Sequence, residues 1–228
     1  MLTEPTNVML LYTASLAGRL ELLPRLFTRV RQERVGFTGP AFLIDLGRSC
    51  MPGTWICDVT DGRGMLVAMD AMGYDAFHIG PADPLYSQPA TVQTLRQAIN
   101  TQLAAGPWAS TVTRQGMIFR FAARLDVIPP HAEPADLTVT LQLGQYPRAD
   151  VETDGERRLL AFDAGWTSLD PLLGRLDIAL LPEPPYISMV SQAQLSIPDT
   201  LMPDPTVSSI IEFVESEARY AEGKRGPV

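Results

Sequence analysis

Histidine is nearly absent from this 228-residue chain: His78 and His131 are the only two. Imidazole is a favoured metal ligand, so a centre needing three or four imidazoles cannot be built within this chain. Cysteine is equally scarce. Cys50 and Cys57 do not make a disulfide framework; the reading is two partly buried free thiols, with a local bridge as the alternative. Charged residues are only 19% of the chain, against about a quarter in an average protein. They are also unbalanced, with a net charge of -8 and a pI near 4.8. An acidic chain repels a phosphate backbone, which argues against nucleic acid as a partner. The one basic stretch, Arg25, Arg29, Arg31 and Arg34, falls on an expected helix and reads as a solvated face. No apolar run is long enough to cross a bilayer, so no membrane partner is expected. Met1 to Pro5 lacks the basic and apolar regions of a signal peptide, and the expectation is a cytoplasmic protein. There is no internal repeat and no low-complexity block.

What is present is a core. The hydrophobic fraction is 46%, which suits one globular domain. It is assigned to residues 1–222, with 223–228 as a flexible tail. Twenty prolines and seventeen glycines, spread along the chain, imply many turns.

Short apolar runs at Asn7–Thr13, Ala41–Leu46 and Asp75–Ile79 predict buried strands. Between the first two, Leu22, Leu23, Leu26, Phe27 and Val30 recur at helical spacing. Asp61 is the expected N-cap of a helix through Met65, Leu66, Met69 and Met72, closed by Gly73; the methionines read as core packing. Alternation of strand and helix at these lengths predicts an α/β unit with a parallel sheet. A helix is expected over Pro89–Leu103. Strands follow at Ser110–Thr113, Met117–Ala123, Leu137–Leu143, Arg158–Asp163, Leu176–Leu181 and Ile187–Ile197, the later ones in antiparallel arrangement. Asp204 caps a last helix with Pro205 in its first turn. Trp55, Trp108 and Trp166 are isolated.

Several segments, taken in order, resemble the catalytic domain of the 5'-nucleotidase family of calcineurin-like metallophosphoesterases. That family opens with a strand and a motif like HTNDLHGRLE; here the chain reads Tyr12-Thr13-Ala14-Ser15-Leu16-Ala17-Gly18-Arg19-Leu20-Glu21. Its second strand ends LLDAGDSFQGT, and Leu43-Ile44-Asp45-Leu46-Gly47-Arg48-Ser49-Cys50-Met51-Pro52-Gly53-Thr54 stands here. Its LGYD and GNHEFD motifs correspond to Met72-Gly73-Tyr74-Asp75 and Gly80-Pro81-Ala82-Asp83-Pro84-Leu85. Gly144-Gln145-Tyr146-Pro147 stands in place of GHSH, Leu173 to Ile178 resembles LGRLDL, and Pro203-Asp204-Pro205-Thr206-Val207 resembles the closing helix start. Residues 88–136 match poorly and are shortened. The resemblance implies an α/β fold: a shortened metallophosphoesterase-like sandwich of two mixed sheets flanked by helices, without the family's C-terminal substrate-binding domain.

It also implies a lost metal site. The family holds two metal ions at strand ends to clamp phosphate and activate water, and each ion needs several nitrogen and oxygen ligands. At the matching positions stand Ser15, Ala17, Arg48, Pro81, Ala82, Gln145 and Pro147. Arg48, in the place of the bridging carboxylate, offers donors only and cannot ligate a cation. No catalytic residue, no metal and no cofactor is therefore expected. Asp45 is expected to hold loop amides, Asp83 to face solvent or pair with Arg48, His78 to be a satisfied strand histidine and His131 to lie in an exposed loop.

A catalytic Ser15, Ser49 or Cys50 would need a base in reach, and His78 is the only candidate. The first reading of function is thus a non-catalytic homologue that binds or scaffolds another protein. A second is a metal-dependent phosphoesterase with a rebuilt site. A third is a sensor of a small anion, phosphate or nucleotide, using Arg19, Arg48 and Ser49 in the vestigial cleft.

Overall fold

The computed structural model describes residues 3–105, 109–123, 128, 134–142, 147–154, 157–164 and 170–225. Its elements run β1 (Thr6–Ala14), α1 (Leu23–Arg34), β2 (Ala41–Asp45), α2 (Trp55–Thr60), α3 (Arg63–Ala71), β3 (Ala76–Ile79), α4 (Pro89–Ala98), β4 (Gln102–Ala105), β5 (Ala109–Arg114), β6 (Met117–Ala122), β7 (Leu137–Gln142), β8 (Pro147–Asp154), β9 (Arg157–Ala164), β10 (Leu172–Leu180), β11 (Ile187–Gln194) and α5 (Pro205–Arg225). Short 3-10 turns sit at Leu20–Leu22 and Pro84–Ser87.

Two mixed sheets stack face to face. The first has the order β11-β10-β1-β2-β3-β4 and the second β5-β6-β7-β9-β8. In the first, β1, β2, β3 and β4 are parallel, while β10 and β11 return antiparallel. The alternation of β1 divides the core, because successive side chains point to opposite faces. Met9 and Leu11 face the helices, with Leu23, Leu26 and Val30 of α1, Met65 and Met69 of α3, and Val207 and Val214 of α5. Val8, Leu10 and Tyr12 face the second sheet, with Phe42, Ile44, Phe119, Phe121 and Val139. Gly174 of β10 lies opposite Tyr12, and a Cβ there would meet the phenol ring at 2.2 Å, so only glycine allows the ring to lie across the strand. Arg114 of β5 ties the sheets together, bonding the Ala41 carbonyl and the Asp75 carboxylate with its guanidinium 4.6 Å from the centre of the Phe42 ring. No helix among the described residues is long and apolar enough to cross a membrane.

Several expectations change. The helix after Pro89 stops at Ala98, because the Asp70 carboxylate accepts from the amides of Asn100 and Thr101 and from the Thr101 hydroxyl. That turn sends Leu103 into β4, parallel to β3. Asp61 does not cap α3. It is the left-handed C-cap (φ 52°) of the short helix α2, and the Thr60 hydroxyl accepts the Gly64 amide in the first turn of α3. The second sheet is mixed, as expected: β6 with β7 and β7 with β9 are parallel, beside its antiparallel pairs. The last helix runs on through Gly223 to Arg225, so 223–225 are not tail; its cap is Asp204, which accepts from the amides of Thr206 and Val207. The arginines of α1 are not a merely solvated face. Arg31 bonds Asp204 at 3.0 Å, Arg29 pairs with Glu33 at 2.6 Å, Arg34 with Asp75 at 3.8 Å, and Arg25 donates to the Leu201 carbonyl.

Cys50 and Cys57 are joined in a disulfide, not free. The six-residue helix α2 turns the chain back after Gly53 and brings the two Cα atoms to 5.6 Å, within bridging range. His131, Trp108 and Trp166 lie outside the described residues.

Candidate functional site

Parallel pairing sets the ends of the central strands side by side: Thr13 of β1 pairs with Asp45 of β2, and Asp45 with Phe77 of β3. The loops that follow therefore meet at one edge, the usual place for a ligand in a parallel sheet. The first two are joined backbone to backbone. Ser15 donates to the Gly47 carbonyl at 3.0 Å, Ala17 to Arg48 at 3.0 Å and Gly18 to Ser49 at 2.7 Å. Within this seam Ser15, Ala17 and Arg48 have φ values of 56°, 54° and 57°. Side chains rarely adopt that conformation, and it persists where surrounding bonds over-determine it. Gly18, also left-handed, sits so close to Thr54 and Cys57 that an added Cβ would lie 2.5 Å from the Thr54 methyl. The disulfide thus fastens the second loop to α2 directly beneath the first.

Under the seam lies a buried polar cluster. Asp45 is fully buried and accepts from the hydroxyls of Thr13 (2.9 Å) and Ser49 (2.5 Å) and from the Gly47 amide (2.9 Å). Burial pushes its carboxyl up to about 7, against the pull of those three bonds. The Thr13 hydroxyl also meets the Tyr74 hydroxyl at 3.2 Å, and burial raises the Tyr74 phenol further above its usual value. His78, on β3, places Nδ1 3.0 Å from the Leu46 carbonyl, and burial lowers its pKa so that the neutral ring is favoured. Asp83 is buried. Its Oδ1 caps the 3-10 turn by accepting the Leu85 amide at 2.8 Å, while its Oδ2 and the Ser15 hydroxyl are buried without a partner. Burial lifts Asp83 to about 6.

The structure brings Ser15, Ala17 and Arg48 together in the seam, with Arg19 just beyond it and both arginines half-buried. Pro81 and Ala82 follow β3 and are exposed. Pro147 opens β8 in the second sheet, opposite Ala164; Gln145 lies outside the described residues. Two expectations are corrected. Ser49 is not turned toward an anion, since it is fully buried and its proton is given to Asp45. Asp83 neither faces solvent nor pairs with Arg48; it is a buried cap.

No protein-family profile matches the sequence, and no curated protein does. A solved structure does match in shape: the calcineurin-like phosphoesterase YfkN from Bacillus subtilis, with a TM-score of 0.63 over 96% of this chain and 99% of that one, at 10% identity. The fold is that of a calcineurin-like phosphoesterase. Identity this low speaks for the fold alone, and the chemistry of the edge must be read from its own residues.

A calcineurin-like fold implies a pair of metal ions, and the residues here do not fit one. A methyl at Ala17 and the rings and methyl at Pro81 and Ala82 have no side-chain donor atoms. Arg48 carries positive charge. Asp45, the one carboxylate in the β1–β2 seam, has its oxygens occupied by three hydrogen-bond donors. Among the described residues no three of His, Cys, Asp and Glu are grouped so as to hold a metal ion.

Proposed function

We propose that this protein is a degenerate relative of the 5'-nucleotidase-type phosphoesterases that does not hydrolyse phosphate esters and instead binds or scaffolds another protein. One observation carries the reading. The two loops that would present the first metal ligands are sealed to each other by backbone hydrogen bonds, and the side chains at their turns are a buried hydroxyl, a methyl and a guanidinium. Metal-assisted hydrolysis needs an open coordination position and a bound water of lowered pKa, and among the described residues no three of His, Cys, Asp and Glu at this edge are grouped to hold the ion. The acidic chain, with its α1 arginines paired, disfavours nucleic acid.

Cytoplasmic residence, the expectation from the sequence, sits poorly with the Cys50–Cys57 bridge, because stable cystine belongs to oxidising compartments. Thiol counting on protein taken from its native source decides it: two reactive thiols after unfolding support the cytoplasm, and none supports an oxidising location.

The activity test is an assay of purified protein with a bis-aryl phosphate and with nucleoside 5'-monophosphates in the presence of manganese. No turnover above the buffer rate is expected. Metal-dependent turnover that is lost in Asp45→Ala would overturn the proposal in favour of a rebuilt hydrolase.

A further inference from the structure

Strand β11 ends the first sheet, and β10 is its only neighbour in the sheet order among the described residues. An edge strand presents unpaired N–H and C=O groups that invite another strand, and proteins guard such edges with charges, prolines, bulges or covering segments. The other sheet ends are guarded. β4 is mostly buried and packs against β5 at the closed corner of the sandwich. β5 is anchored through Arg114. β8 begins with a proline and carries Arg148, Asp150, Glu152 and Asp154.

β11 also lies beside β8 of the second sheet, but it lacks the burial of β4 and the charges of β8. Every residue after Ile187 is exposed, including Met189 and Val190, the latter at 63%. No charged residue occurs from Pro184 to Pro198, although Glu183 and Asp199 bracket the segment. Its one guard is a bulge that leaves Val190 without a partner on β10.

We infer that this edge is the interface between two copies of the chain, joined by antiparallel pairing of β11 with β11 across a two-fold axis. Charge selects the occupant. A two-fold contact sets a surface against itself, so any net charge on it is doubled and repels; in a chain of net charge -8 this long neutral stretch escapes that penalty. The register that uses the whole strand puts the axis between Val190 and Ser191. Ser188 then faces Ala193 of the second copy, and Met189 faces Gln192, with no like charges opposed. The first sheet would become a continuous twelve-stranded sheet (six strands from each copy), closed at two chains. The inference does not depend on the absence of phosphoesterase activity.

Sedimentation equilibrium over a wide concentration range tests it, using wild-type protein, Val190→Lys and Val190→Glu. Val190 is exposed and has no register partner on β10, so both variants should keep the wild-type circular dichroism and melting midpoint. Wild type is expected at twice the 25.0 kDa chain mass, each variant at the single mass with association weakened at least tenfold, and the equimolar mixture of the two restored to the double mass. A wild-type monomer at millimolar chain concentration overturns the inference. So do assemblies larger than two, dimers that survive in both variants, or loss in the variants without rescue on mixing.

Discussion

Asp83 shows how a single buried carboxyl fixes a pH dependence. Its folded pKa of about 6 lies above the ordinary 3.8, and burial is the main cause. The folded state therefore holds this proton more tightly than the unfolded state. The resulting stability is complete below about pH 4 and is lost as the pH rises through 6. A difference of this size corresponds to about 3 kcal/mol. Asp83→Asn removes the charge while its amide oxygen can still accept the Leu85 amide. Melting midpoints should show the variant several degrees above wild type at pH 8 and nearly level with it at about pH 3.5. Equal loss at both values would mean that the ionised carboxylate is needed as a cap. Asp45, raised to about 7 for the same reason, adds to the same trend. The sequence made the positions of both residues legible through the resemblance, but not their burial. For Asp45 it follows from the seam between the two loops, and for Asp83 from its approach to Gly62 at the turn between α2 and α3; no local pattern encodes either long-range contact.

At the level of elements, the sequence revealed what periodicity can carry. β1, β2 and β3 are continuous apolar runs, and two of them are followed within two residues by a glycine, so their ends and the loops beyond were readable. α2 was not, because the six residues Trp55–Thr60 are too few for a helical repeat to stand out. With α2 missed, the approach of Cys57 to Cys50 was invisible. β4 was absorbed into the preceding helix because Leu103 continues the spacing of Val92, Leu95 and Ile99, and only the Asp70 carboxylate breaks it. β8 escaped because Pro147–Asp154 is highly charged: Pro147, Ala149 and Val151 do alternate with Arg148, Asp150 and Glu152, but with too little apolar bulk to stand out as a strand. The disulfide closes a loop of seven residues' separation, worth roughly 2–3 kcal/mol by loop-closure entropy. Cys50→Ser/Cys57→Ser should lower the urea midpoint accordingly, with an unchanged slope. An unchanged midpoint would show that packing around α2 holds the second loop without the bridge.

The whole molecule is a calcineurin-like sandwich in which one sheet carries both the candidate site and the exposed edge strand β11, at different places. The site lies at the C-terminal ends of β1 to β3, whereas β11 lies beyond β10, so loss of one property leaves the other intact. On the proposed reading, ligand charge and metal charge would have been lost together: Arg48 and Ala17 stand where a cation pair would require a carboxylate and an imidazole, so the fold needs no ion to balance them. The most direct test is equilibrium dialysis of the purified protein against manganese, zinc and iron(II), with bound metal counted by mass spectrometry. Well under one ion per chain is expected, unchanged in Asp45→Ala; two ions per chain, lost in that variant, would contradict the account.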